Sequence, residues 1–277
     1  MSRKAIALDA GHYYYTPGRR CMLQFDPNET REWVLNSNMA EHVEAELAKY
    51  DCSVLRIDDR TGENQVTLAE RNRLANAAGA DYLLSIHHNG GIKGGNGGGI
   101  VVYVLPNADT ISKQLQRAVY EATVKKTGLK GNRANPLATG NYSILSGAKQ
   151  TAILGEYGFM DSRTDVPIII TDEFSSNCAA GIVEGLVSVA GLKKVQKEDN
   201  DMAIIEEIRK MYGLGDATEK QVAQAIGYIL QNSAPSGDAK REYDAAKAEG
   251  ITDGSNPGMP ATRWMSTLMS RRAMGRR

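Results

Sequence analysis

Cysteine is scarce in this chain and shows no pairing pattern: Cys21, Cys52 and Cys178 are the three among 277 residues, odd in number, scattered and without a CxxC. A disulfide framework and a cysteine zinc finger are thereby set aside, and the three read as reduced thiols made in the cytoplasm. Excess charge is missing too. Lys+Arg and Asp+Glu stand at 33 each, so no net field draws the chain to a phosphate backbone, and nucleic acid is not an expected partner. No apolar run reaches membrane-spanning length, and the stretch between the N-terminal MSRK and Asp9 is too short for a signal-peptide core. The expectation is a protein made in the cytoplasm without a signal peptide and with no membrane span. It reaches any substrate outside through a membrane lesion or by non-classical export. Long repeats and low-complexity tracts are absent as well. What remains is globular material, 42% apolar, long enough for one full domain and a smaller appendage.

The first two thirds alternate strand-like and helix-like segments. A buried strand at Ala5 to Leu8 is followed by a helix over residues 27–50, a strand at 53–57 and a helix opened by the capping box at Thr67 and Glu70. Strands are then expected at 82–86 and 100–105, a helix at 109–127, strands at 142–145 and 152–155, and a helix at 171–189. This order predicts an α/β fold, one mostly parallel twisted sheet flanked by helices. The charged stretch 193–203 reads as a linker after a catalytic domain at 1–192, and 204–277 as a small all-helical C-terminal region. The glycine-rich segment Gly90 to Gly98 lacks the GKS or GKT ending and leads into a strand, so a phosphate loop is excluded on context.

Parallel α/β sheets bind ligands outside the carboxyl ends of their strands. His12 follows the first strand in LDAGH, His87 ends YLLSIH and Glu156 ends AILGE. Glu32 joins them from the first helix. Asp26, Pro27 and Glu29 read there as a helix start, and the apolar stripe Leu35, Met39, Val43, Leu47 extends back by three to Glu32. A carboxylate on that inward stripe is costly unless a cation or strong donors meet it. Two histidines, one ligating carboxylate and a second carboxylate nearby match a hydrolytic zinc site with a position open to water. His88 alternates to the other face, as a structural or supporting residue, and His42 lies about 15 Å from Glu32 along the helix, too far to share a metal.

At these residues the sequence resembles the zinc-dependent N-acetylmuramoyl-L-alanine amidases of the amidase type 3 family, which includes phage endolysins and autolysins. LDAGH, ETREWVLN with Asn36, SIHHN and LGEYGF carry the likeness in order, over residues 3 to 191, and TLAERNRLAN adds Arg71 and Asn76 in structural roles. The resemblance implies Zn²⁺ held by His12, Glu32 and His87, with Glu156 as general base and acid. It implies peptidoglycan as the partner, cut between N-acetylmuramic acid of the glycan strand and L-alanine of the stem peptide, as by an endolysin. Family members often carry glycine after the first histidine, whereas this chain has Tyr13, Tyr14 and Tyr15. Loop packing and a groove-lining aromatic that meets sugar or stem peptide are the two readings of that departure. The C-terminal AKAEGITDGSNPGMPATRW segment is similar to an S-layer-homology unit, which implies binding of a cell-wall polymer, against packing or self-association. Two rivals stand beside the amidase: another zinc peptidase acting within the stem peptide, and a non-catalytic wall-binding protein, which would have no use for an acid/base group at Glu156.

Overall fold

The computed structural model describes residues 3–195; the expected linker beyond Val195, the C-terminal helices and the S-layer-homology likeness lie outside the described residues. Six strands, β1 (Lys4–Ala10), β2 (Cys52–Arg56), β3 (Tyr82–Asn89), β4 (Ile100–Val104), β5 (Leu137–Thr139) and β6 (Thr151–Phe159), form one sheet in the order β2-β1-β3-β6-β4-β5. The four on the β2 side are mutually parallel, and β4 runs antiparallel to β6. Helices α1 (Glu32–Leu47), α3 (Thr110–Thr127) and α6 (Asp172–Ala190) cover one face, and α2 (Leu68–Ala77) with the short α4 (Ser143–Ser146) packs on the other; α5 (Val166–Ile169) is a single turn between β6 and α6.

Alternation along the strands divides the apolar residues between two cores. Ile6, Leu8, Leu84 and Ile86 point to the α1/α3/α6 side, while Ala7, Leu83 and Leu154 point to the α2/α4 side. The stripe Leu35, Met39, Val43, Leu47 is buried as its spacing demands. Helices α3 and α6 touch at backbone distance: a Cβ on Gly181 would stand 2.5 Å from the Thr123 Cα, and one on Gly185 2.6 Å from the Val119 Cα.

Several sequence expectations change. The first helix begins at Glu32, not near Pro27. The Asp26 carboxylate is spent inside a turn, accepting from the backbone N–H of Asn28 (3.0 Å) and Thr30 (2.7 Å), and Glu29 adopts φ 47°, which no helix start allows. Residues 30–32 instead run extended against 19–21, through Cys21 N–H to Thr30 O (2.8 Å) and Glu32 N–H to Arg19 O (3.0 Å). The segment expected as a strand at 142–145 is the turn of helix α4, whose consecutive Ile144 and Leu145 are both buried, and the strand there is β5 just before it. Thr67 caps α2 by accepting from Glu70 N–H (3.2 Å), but the Glu70 carboxylate pairs with Arg73 (2.7 Å) rather than completing the box. Residues 193–195 still belong to the packed body, with Asp51 N–H donating to Lys193 O (2.8 Å) and Val195 N–H to Lys49 O (2.9 Å). No described helix is long and apolar enough to cross a membrane.

Candidate metal centre

His12, Glu32 and His87 meet at the carboxyl end of β1 and β3, with one ligand atom from each within 4.8 Å of the others. His87 Nδ1 lies 3.0 Å from Glu32 Oε1, and His12 Nε2 lies 3.2 Å from Glu32 Oε2. The two imidazole rings stand edge to face, 4.9 Å between centroids. Glu32 is 1% exposed, and its Oε2 makes no well-formed hydrogen bond despite the nearby imidazole, whereas Oε1 also accepts from the His88 backbone N–H (3.2 Å). A buried carboxylate oxygen without a donor, facing two imidazoles, is the donor set that suits a zinc ion, and the cluster passes that test on chemistry as well as spacing. Burial alone would raise the Glu32 carboxyl; the imidazoles of His12 and His87 more than offset it and hold it well below the usual carboxylate range. Burial pulls His87 down, and the Glu32 carboxylate reverses that, leaving it above the ordinary histidine value.

Glu156 is the register partner of His87 across parallel strands, so the two side chains leave the sheet side by side on one face. Its Oε2 is buried without a hydrogen-bond partner, and burial pushes its carboxyl up to about 7; the charge of His87 counters this, Glu32 adds to it, and Arg19 again counters it. The strand continues to Phe159, three residues past the end that the sequence suggested.

Supporting contacts fix the three candidate ligands. His12 takes φ 68°, a left-handed conformation that costs a non-glycine residue free energy. Arg71 holds it there, donating to His12 O (2.6 Å) and Ala10 O (2.7 Å) while pairing with the buried Asp9, which in turn accepts from Ser85 Oγ (2.7 Å). Asn36 donates through Nδ2 to Gly11 O (3.0 Å) and offers Oδ1 to His88 Nδ1 at 2.8 Å, so Nδ1 is the protonated nitrogen of His88. His88 thus faces α1, away from the metal cluster, as alternation required. Asn76 ties α2 to the segment before β6, through Gly147 O (3.0 Å) and Lys149 N–H (3.1 Å). His42 pairs with Asp172 at 2.9 Å on the surface. Two residues escaped the sequence reading. Arg19 brings Nη1 to 3.8 Å from Glu32 Oε2 out of an aperiodic loop. Gly11 is the other: a Cβ there would sit 2.1 Å from the His87 ring, and the signal available was a glycine directly before a candidate ligand.

The N-acetylmuramoyl-L-alanine amidase family profile matches residues 6–188, most of the described chain. The chain belongs to that family. The sporulation-specific N-acetylmuramoyl-L-alanine amidase of Bacillus subtilis (strain 168) is 28% identical over 189 residues, covering 68% of this chain and 69% of that protein. The endolysin of Bacillus phage SPP1 is 28% identical over 192 residues, covering 69% and 68%. Among solved structures, the N-acetylmuramoyl-L-alanine amidase from Clostridium difficile 630 superposes with a TM-score of 0.61 at 27% identity, over 69% of this chain and 98% of its own.

Two expected results follow for this amidase. Gly11→Ala forces a methyl into the His87 ring, and overpacking of this kind costs about 1–3 kcal/mol; thermal unfolding should show that loss together with weaker metal uptake, and unchanged metal uptake would speak against the contact. The second concerns His88, 1% exposed, whose imidazole burial depresses from 6.5 to about 4. The unfolded chain then binds more protons than the native one between those values, so stability is complete above pH 6.5 and is lost as pH falls toward 4. Its size is at most about 3 kcal/mol, from 1.36 kcal/mol for each pH unit of the shift. His88→Asn keeps a donor for Asn36 and cannot titrate, so its stability relative to the parent should rise steadily across that window in denaturant titrations. A pH-independent difference would remove His88 from the acid sensitivity.

Proposed function

We propose that His12, Glu32 and His87 hold a catalytic zinc ion and that Glu156 moves the protons of amide hydrolysis. The observation that carries this is the meeting of a buried, underdonated Glu32 carboxylate with two imidazoles, with Glu156 beside His87 in register. The reaction is the family's: hydrolysis of the amide between N-acetylmuramic acid and L-alanine in peptidoglycan. We assign the domain that performs it to residues 1–192 together with 193–195, which pack on it, and its place of action is the cell wall, in keeping with the endolysin relative.

A bound zinc ion supplies Lewis acidity, making a water acidic enough to attack near neutral pH and polarising the scissile carbonyl. The rest is done by side chains. Glu32 stays ionised in its buried place and fixes both imidazoles. Glu156, raised toward 7 by burial, is matched to proton transfer at neutral pH: its carboxylate accepts the proton of the attacking water and then delivers it to the departing alanine nitrogen, so the amine leaves neutral. Arg71 and Asn36 hold the Gly11–His12 turn through its carbonyls, and Asn36 also holds the His88 imidazole, so little reorganisation is needed when substrate arrives.

Product analysis on purified sacculi tests the reading. Free lactyl carboxyls should appear on intact glycan strands and free L-alanine amino termini on the peptides cut from them, and both should cease with a chelator and return with added zinc. New termini inside the stem peptide would make the enzyme a peptidase, and chelator-resistant hydrolysis would remove the metal from the chemistry.

A further inference from the structure

We infer that Tyr142, braced by Tyr103, is a substrate-contact residue of the hydrolysis: the wall against which the first peptide residue, L-alanine, is seated beside Glu156. The inference rests on the amide between N-acetylmuramic acid and L-alanine being the bond that is cut. Strand order sets the direction. His12 follows β1, His87 lies on β3 and Glu156 on β6, and the next strand out is β4. The scissile carbonyl belongs at the proposed ligands and the departing nitrogen at Glu156. The peptide that leaves with that nitrogen therefore extends toward β4, away from the glycan strand.

What β4 presents there is aromatic. Val101 is the register partner of Glu156 and Tyr103 that of Leu154, so Tyr103 leaves the sheet on the Glu156 face as its diagonal neighbour. Such neighbours are about 7–8 Å apart, within reach of a long side chain. Tyr142 stands against Tyr103 edge to face, with ring centroids 5.0 Å apart. Its ring also lies on Gly140, where a Cβ would come 2.5 Å from Tyr142 Cε2. The backbone is fixed too: Tyr142 O accepts from Leu145 and Ser146 N–H (2.9 Å each), and Asn72 donates to Ser143 O (2.9 Å). The ring is thus held from two sides and still 37% exposed, whereas the neighbouring Ile144 and Leu145 do the core packing. Burial pushes the Tyr142 hydroxyl above the usual phenol range; Tyr103 and the Glu156 charge add to this, and Arg19 counters it. Arg19 acts on Glu156 in the same way, so Tyr142 and Arg19 both border the proton carrier. A fixed, half-exposed aromatic face suits a small apolar group, and the alanine methyl is the first such group past the departing nitrogen.

The test uses the full chain and two soluble glycan–peptide fragments that differ only in the first peptide residue, L-alanine or glycine. The parent should prefer alanine by about fourfold in kcat/KM, which is what burying one methyl-sized group contributes. In Tyr142→Ala that preference should fall toward one, through KM for the alanine fragment, and Tyr142→Phe should keep it, because the ring makes the wall. Lengthening the glycan at constant peptide should leave the effect of Tyr142→Ala unchanged. Calorimetric binding of the two intact fragments in a Glu156→Gln background, with and without Tyr142→Ala, gives the same comparison without turnover. If the parent hydrolyses neither fragment, the amidase reading fails, and the binding comparison still decides the contact. No parent preference, an equal loss on both fragments in Tyr142→Ala, or a loss that grows with glycan length, as for a sugar platform, would each overturn the inference.

Discussion

His87→Ala should lose bound zinc and hydrolysis together. In the proposed site the ring is one of three protein donors, and it is also the partner of Glu32 Oε1 at 3.0 Å, so its removal leaves an incomplete donor set around a carboxylate that is 1% exposed. Loss of a residue that merely orients a metal ligand typically lowers affinity by about 10–100-fold; loss of a ligand itself should exceed the upper figure, and activity on sacculi should fall with it. Elemental analysis of the purified variant is the measurement, with circular dichroism to establish that it has folded. His42→Ala is the matched control, because that histidine pairs with Asp172 on the surface and should keep full zinc content. Full zinc occupancy in a folded His87→Ala protein would sink the ligand assignment.

The second large effect is expected at Glu156, where binding and chemistry should separate. Glu156→Gln preserves shape but cannot accept the water's proton, and positioned acid/base groups contribute about 10²- to 10⁴-fold in rate. The turnover number should therefore drop by at least about 100-fold, while zinc content and KM stay near the parent's. Stability gives an independent readout in the metal-free protein. Burial raises this carboxyl from 4.5 to about 7, so the native state holds its proton longer than the unfolded chain and the parent loses stability as pH rises through that interval. That loss is at most about 3 kcal/mol, and the glutamine variant should be spared it. Loss of zinc from Glu156→Gln would make the residue a ligand, and near-normal turnover would take it out of the mechanism.

Much of the site was readable because its residues sit where periodic elements deliver them. His12 and His87 lie at strand ends, Glu156 faces the same way as His87 on the neighbouring strand, and Glu32 was found by extending the stripe of Leu35, Met39, Val43 and Leu47 backwards by one turn. The stripe held even though the helix start did not. Asp26, Pro27 and Glu29 have the composition of a cap, but the same carboxylate can serve a turn, and only the pairing of residues 30–32 with 19–21 decides between them. That pairing is non-local, as is the antiparallel placement of β4 against β6, and neither leaves a periodic trace in a single chain. Arg19 lies on that same irregular loop and was hidden for the same reason.

The register of β3 against β6 has a further consequence. With His87 opposite Glu156, the backbones that carry the proposed ligand and the proposed proton carrier stand one interstrand spacing apart, about 4.8 Å, set by backbone hydrogen bonds between buried strands. Tyr14, Asn28, Glu29 and Arg31, by contrast, lie on or next to connecting loops whose sequence the sheet does not dictate. The fold thus divides its labour between a frame that cannot drift and a rim that can. Loop 13–31 is in that sense a transplantable part: exchanging it for another sequence should leave the backbone spacing between His87 and Glu156 as it is, because no strand of the sheet lies in it.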